Sequence, residues 1–85
     1  MLLEILTPEK KLYSGEVQGV QLPGIDGLFE VLDKHAPMVS ALGVGQVKVL
    51  KKGLASETYA IQGGFVEVIN NQATVLVEGL SLIHI

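Results

Sequence analysis

The sequence has no cysteine, no arginine and no tryptophan, and only two histidines. Without thiols there are neither disulfides nor thiolate metal ligands. Without arginine, six lysines supply all the permanent side-chain positive charge, and the net charge is −3. Phosphate and base recognition lean on arginine's planar fork, so the composition argues against nucleic-acid binding. No apolar run approaches the roughly 20 residues of a membrane helix, so direct membrane insertion is not expected. The opening Met1-Leu2-Leu3-Glu4 has no basic n-region, which argues against a secretory signal.

What is present is a single small domain of 85 residues, 48 % hydrophobic, with an alternating pattern and no helical stripe. "LLEILT" sets Leu3 and Ile5 on one face, and "QVKVLK" sets Val47 and Val49 inward. "FVEVI" and "ATVLVE" flank Asn70-Asn71-Gln72, and asparagine tolerates the positive φ of a tight hairpin turn. "PGIDG" reads as a further hairpin loop before "LFEVL", and Gly63-Gly64 as the junction between "ETYAI" and "FVEVI". Short strands broken by Gly, Pro, Asn and Asp predict an all-β, antiparallel two-sheet β-sandwich. In the last two strands Val66, Val68, Val75 and Val77 share the core sides. Phe65, Ile69 and Leu76 then fall on the opposite faces, either covered within the fold or forming a docking patch.

The stretch "DKHAPMVSALGVG", residues 33–45, is the one with apparent chemistry. Asp33 and His35 share a side of an extended chain, as two members of a catalytic triad would. No nucleophile accompanies them, because Ser14, Ser40, Ser56 and Ser81 lack a nucleophile elbow. His35 and His84, with scattered carboxylates, match no zinc or calcium spacing. "GVGQVK" has no third glycine and precedes a strand, so it is no phosphate loop. Lys34 within "LDKHAP" is a weak match to the lysine of lipoyl or biotinyl carriers, since His35 and Pro37 break that pattern. No catalytic residue, metal site or cofactor is expected. Pro37 biases Ala36 away from the helical region, giving an extended corner followed by apolar Met38, Val39, Ala41 and Leu42. Such a corner suits recognition better than turnover, which leaves open a free-standing β-sandwich adaptor that binds an unrelated protein.

The ordered segments carry a resemblance. "TPEKKLYSGEV", the turn Gly24 to Gly27, His35-Ala36-Pro37-Met38, Gly63-Gly64-Phe65-Val66-Glu67-Val68 and "ATVLVE" occur in order over residues 2 to 78. Together they resemble the N-terminal domain of the epsilon subunits of F-type ATP synthases, the delta subunit in mitochondria. The resemblance implies a β-sandwich at the foot of the rotating central stalk, without catalytic residues. It implies binding to the gamma subunit and to the polar loops of the c-ring, and a share in coupling proton flow to ATP synthesis. It also implies a peripheral place at the cytoplasmic face of the bacterial inner membrane. On this analogy the partner-binding residues are Asp26, Gly27 and Leu28 at one turn and His35, Ala36, Pro37 and Met38 at the corner. The domain is expected over residues 1–79, without the C-terminal helical hairpin of longer family members. The tail, residues 80–85, matches the in-frame translation of a sequencing-library transposon adapter and is expected to lie outside the domain.

Overall fold

The computed structural model describes residues 1–51, 57–79 and 81–83, so Ser56 and His84 fall outside it. Ten strands follow one another: β1 (Leu2–Leu6), β2 (Lys11–Glu16), β3 (Gly19–Gly24), β4 (Gly27–Leu32) and β5 (Met38–Leu42), then β6 (Gly45–Leu50), β7 (Thr58–Ile61), β8 (Gly63–Ile69), β9 (Gln72–Glu78) and β10 (Ser81–Ile83). No helix occurs among the described residues.

The hydrogen-bonded order is β10-β7-β6-β3-β5-β8-β9-β1-β2, with β4 on the second edge of β3. The sheet curls at β3. Strand β6 pairs with the first half of β3, from Gly19↔Leu50 to Gln21↔Lys48, and β5 takes over only at Gly24↔Leu42. That single bridge divides the path into two layers, β10-β7-β6-β3-β4 and β5-β8-β9-β1-β2, which enclose the core between them. Gly24 has no room for a side chain: a Cβ there would lie 2.8 Å from the Gly27 carbonyl oxygen and 2.9 Å from the Phe29 ring. A glycine is therefore needed where the sheet bends.

Alternation places the core as expected. Leu3, Ile5, Val47, Val49, Val66, Val68, Val75 and Val77 are all buried, and Leu22, Val20 and Val31 join them from β3 and β4. Buried aliphatic side chains of this kind contribute about 1.5–3 kcal/mol each, the main term holding the layers together.

Three details differ from the expectation. The sheet is mixed, because β1 runs parallel to β9 in the register Leu3↔Ala73 and Ile5↔Val75. A period of two is the same for either strand direction, so alternation could not reveal this. Gly63 and Gly64 are not themselves the junction between the two strands. They open β8, and the bend at Gln62 carries the chain from one layer to the other. Gly64 has φ +146, and a Cβ there would come 2.0 Å from the Leu76 carbonyl oxygen. In "PGIDG", Gly24 pairs with Gly27, which leaves only Ile25 and Asp26 as the loop.

The Asn70-Asn71 hairpin is as read: Ile69 pairs with Gln72, and both asparagines have positive φ, 51 and 58. That combination of a two-residue loop and left-handed backbone is what a primed turn demands.

Candidate functional site

The stretch Asp33 to Pro37 is the crossover from β4 in one layer to β5 in the other. It starts with a tight turn in which the His35 amide donates to the Leu32 carbonyl at 3.0 Å. Lys34 occupies the left-handed region there, with φ 66. Its amide donates to Asn71 Oδ1 at 2.6 Å, and Asn71 Nδ2 donates to Asp33 Oδ1 at 3.0 Å. The crossover is thus docked onto the β8–β9 hairpin by the side chain of its second turn residue.

Asp33 is committed to structure. Its Oδ1 accepts from the Met1 α-ammonium at 2.6 Å as well as from Asn71. The bond to the ammonium, then the bond to Asn71, hold the Asp33 carboxyl below its usual range. The His35 ring turns elsewhere: Nδ1 lies 2.7 Å from the Ala36 carbonyl and can only donate to it. No Asp33–His35 bond forms among the described residues, so the two members of a would-be triad are not brought together. His35, Ala36 and Pro37 are exposed, while Met38 is half-buried and packs against the core.

The other expected contact, Asp26-Gly27-Leu28, lies at the tip of the β3–β4 hairpin. Leu28 and its neighbour Ile25 are among the most exposed apolar residues, at 68 % and 71 %. They line one shallow depression with Ser40 and Ala41. The corner and the tip are not adjacent. The corner enters β5 at Met38 and the tip meets it near Leu42, four residues or roughly 13 Å further along the strand. Of the anchors expected after Pro37, alternation turns Val39 outward at 69 % exposure but sends Leu42 into the core at 5 %.

Between these two ends runs a surface the sequence only half announced. Pairing sets Ala41 beside Phe65, Phe65 beside Leu76 and Leu76 beside Leu6, an apolar row across four strands. Phe65, Leu76 and Ile69 are exposed on the outer face. The neighbouring row is Val39, Glu67, Thr74 and Glu4. Glu4 is engaged by Lys11 at 2.8 Å and by Gln72 at 3.2 Å. Glu67, flanked by Phe65 and Ile69, has no ion-pair partner among the described residues. Val44, 81 % exposed in the β5–β6 loop, adds to the tip end, and an isolated valine between glycines carries no periodic signal that would mark it in the sequence.

Other polar groups are structural. Burial pushes the Tyr59 phenol up to about 12, helped by its hydrogen bond to Glu57 at 3.0 Å. Among the described residues no three His, Cys, Asp or Glu side chains gather as metal ligands. What the geometry offers is surface: an all-β sandwich with an apolar row on one outer face, an exposed apolar tip at one end of β5 and an exposed corner at the other.

Comparison with known proteins places the class. Residues 1–82 match the family model described as ATP synthase, delta/epsilon chain, β-sandwich domain. The chain is 43 % identical over 79 residues to an ATP synthase epsilon chain of Chlorobium limicola, covering 93 % of this chain and 90 % of that protein. It is 46 % identical over 78 residues to an epsilon chain of Maridesulfovibrio salexigens, but there it spans 54 % of the relative. Among solved structures, a chain of the Euglena gracilis mitochondrial ATP synthase superposes with a TM-score of 0.86 at 22 % identity, over 94 % of this chain and 51 % of that one. A chain of the Tetrahymena thermophila mitochondrial ATP synthase gives 0.80 at 17 % identity, over 94 % and 64 %. At those identities the superpositions establish the fold. The chain belongs to the delta/epsilon family of ATP synthase subunits. It is therefore part of a membrane-associated complex, and no helix among its described residues is long and apolar enough to cross a membrane. Membership also displaces the carrier-domain reading of Lys34, which lies inside the matched region.

Proposed function

We propose that this chain is a non-catalytic central-stalk subunit that binds the gamma subunit and the c-ring and helps couple proton translocation to ATP synthesis. It would act as a peripheral component at the cytoplasmic face of the bacterial inner membrane. The observation that carries the reading is the continuity of exposed apolar residues from the hairpin tip, Ile25 and Leu28, through Ala41 to Phe65 and Leu76. A domain of this size gains nothing from such a row unless a partner covers it. The superposing chains come from an OSCP/F1/c-ring assembly and from a central stalk with its c-ring, which supports partners of that kind.

Two separated contacts fit the geometry better than one. The tip and the apolar row form one surface. The His35–Met38 corner forms another, continuous with Val39, Glu67 and Ile69 in a second shallow depression. We assign the tip Asp26-Gly27-Leu28 and the corner His35-Ala36-Pro37-Met38 to contacts with the ring and the base of gamma. Both rest on strands of a rigid sheet, so their separation is fixed before binding. Such preorganisation spares the ordering cost of a mobile loop.

Co-expression with a gamma subunit from a related bacterium, followed by size-exclusion chromatography, tests the assignment. A stoichiometric complex is expected. Separate elution from the cognate gamma subunit would overturn it.

A further inference from the structure

One acid stands where the fold gives it no counter-charge. Glu67 lies within β8, a strand paired along both edges, and its neighbours across the sheet are Val39 on β5 and Thr74 on β9. Its side chain is exposed on the outer face, between Phe65 and Ile69 of its own strand. Val39, Phe65 and Ile69 each leave more than half of their surface to solvent. Another acid in the same row is treated differently. Glu4 is held by Lys11 Nζ at 2.8 Å and by Gln72 Nε2 at 3.2 Å, whereas Glu67 has no ion pair among the described residues. Glu30 and Glu78 are exposed without an ion pair too, but Glu30 is on the edge strand β4 and Glu78 ends β9. Water can reach those two from the side even when the face is covered.

In the free chain an exposed carboxylate is solvated and costs nothing. Docking changes that. Residues two apart on a strand are about 7 Å from each other and paired strands about 5 Å, so no surface can cover Phe65, Ile69 and Val39 without covering Glu67 as well. A purely apolar cover would strip the carboxylate of water and give nothing in return. A second copy of this chain laid face to face would oppose two carboxylates. A lysine or arginine above Glu67 would instead form charge-assisted hydrogen bonds, its apolar stem lying along Phe65 or Ile69.

We infer, on the proposed binding to gamma, that Glu67 is the specificity-determining residue of this face, and that the segment of gamma docked there places a lysine or arginine over it between apolar side chains. A face several strands wide needs a broad partner surface, which argues for gamma over the loops of the ring. The carboxylate then works in both directions. It accepts the one surface that brings a cation and rejects apolar or acidic surfaces that the neighbouring side chains would otherwise hold.

Calorimetric titration of the cognate gamma subunit, at low and at high salt, compares the unaltered chain with Glu67→Gln and Glu67→Lys. Glu67→Gln keeps the shape and removes the charge. It should weaken binding about tenfold or more and lose most of the salt dependence that the unaltered chain shows. Glu67→Lys should weaken binding further, and replacing lysines and arginines of gamma by glutamate one at a time should find the change that restores it. Thermal unfolding should be alike for all three chains, because Glu67 is exposed and holds no partner within the fold. Should Glu67→Lys fail to fold, Glu67→Gln decides the matter. Binding by Glu67→Gln with unchanged affinity and salt response would overturn the inference and leave the proposed function standing. Failure of the unaltered chain to bind gamma would overturn both. A fall in Tm of Glu67→Gln that accounted for its lost binding would show that the residue serves the fold, and would overturn the inference too.

Discussion

Replacing Ile25 with Ser and Leu28 with Thr should separate binding from folding. Ile25 is 71 % exposed and Leu28 68 %, so roughly two-thirds of each side chain remains for a partner to cover. Full burial of such a side chain is worth about 1.5–3 kcal/mol, so the exposed share is worth about 1–2 kcal/mol at each position. The pair then carries about 2–4 kcal/mol of binding, or roughly 30- to 1000-fold in Kd. The fold has little to lose. Ile25 sits in a two-residue loop, and threonine keeps the strand preference at Leu28. A stability loss under about 1 kcal/mol corresponds to a Tm shift within about 8 °C. Calorimetric titration against a purified gamma subunit or c-ring reads the first number, and thermal unfolding reads the second. Unchanged affinity for both partners would remove the tip from the interface. A collapse in Tm that matched the loss of binding would show that the two residues serve the fold instead.

Gly64→Ala should destabilise the chain by about 2–4 kcal/mol or prevent folding, since a Cβ meets the Leu76 carbonyl oxygen on a backbone with φ +146; chemical denaturation checks it. Leu3→Ala, at a fully buried position, should cost about 2–5 kcal/mol by the same assay. His35→Ala should weaken assembly with little change in Tm, whereas Met38→Ala should also lower Tm, because Met38 packs on the core. Stability should also follow pH at both limbs of a plateau. The Asp33 carboxyl is lowered below 3.8 by its bond to the Met1 ammonium, so its contribution is present above about that pH and is lost as pH falls through the lower folded value. The ammonium is raised above 8.0, chiefly by the bond to Asp33, so its contribution is complete below pH 8 and fades as pH rises through the higher folded value. Asp33→Asn should blunt both limbs, which urea melts across the pH range will show.

Much of the chain was legible before folding. Alternation in "LLEIL", "QVKVL", "FVEVI" and "ATVLV" told which side chains face the core, because strand side chains point to opposite sides whatever the partner strand. Asn70-Asn71 declared its own turn, since left-handed backbone is a local property of the residues that adopt it. The hairpin turn in "PGIDG" was legible for the same local reason, whereas Leu28 was marked only by the family resemblance.

Tertiary structure decided what local rules leave open. The parallel pairing of β1 with β9, the bend of the sheet at Gly24↔Leu42 and the crossing at Gln62 depend on contacts between residues far apart in the chain. Asp33 shows the difference most plainly. Beside His35 in sequence it resembles a catalytic acid. In the fold its carboxylate binds a terminus 32 residues away, and the histidine turns to its own neighbour. Which partner a polar side chain finds is settled by the strands that bring distant groups within hydrogen-bond reach, and no spacing along the chain encodes that distance.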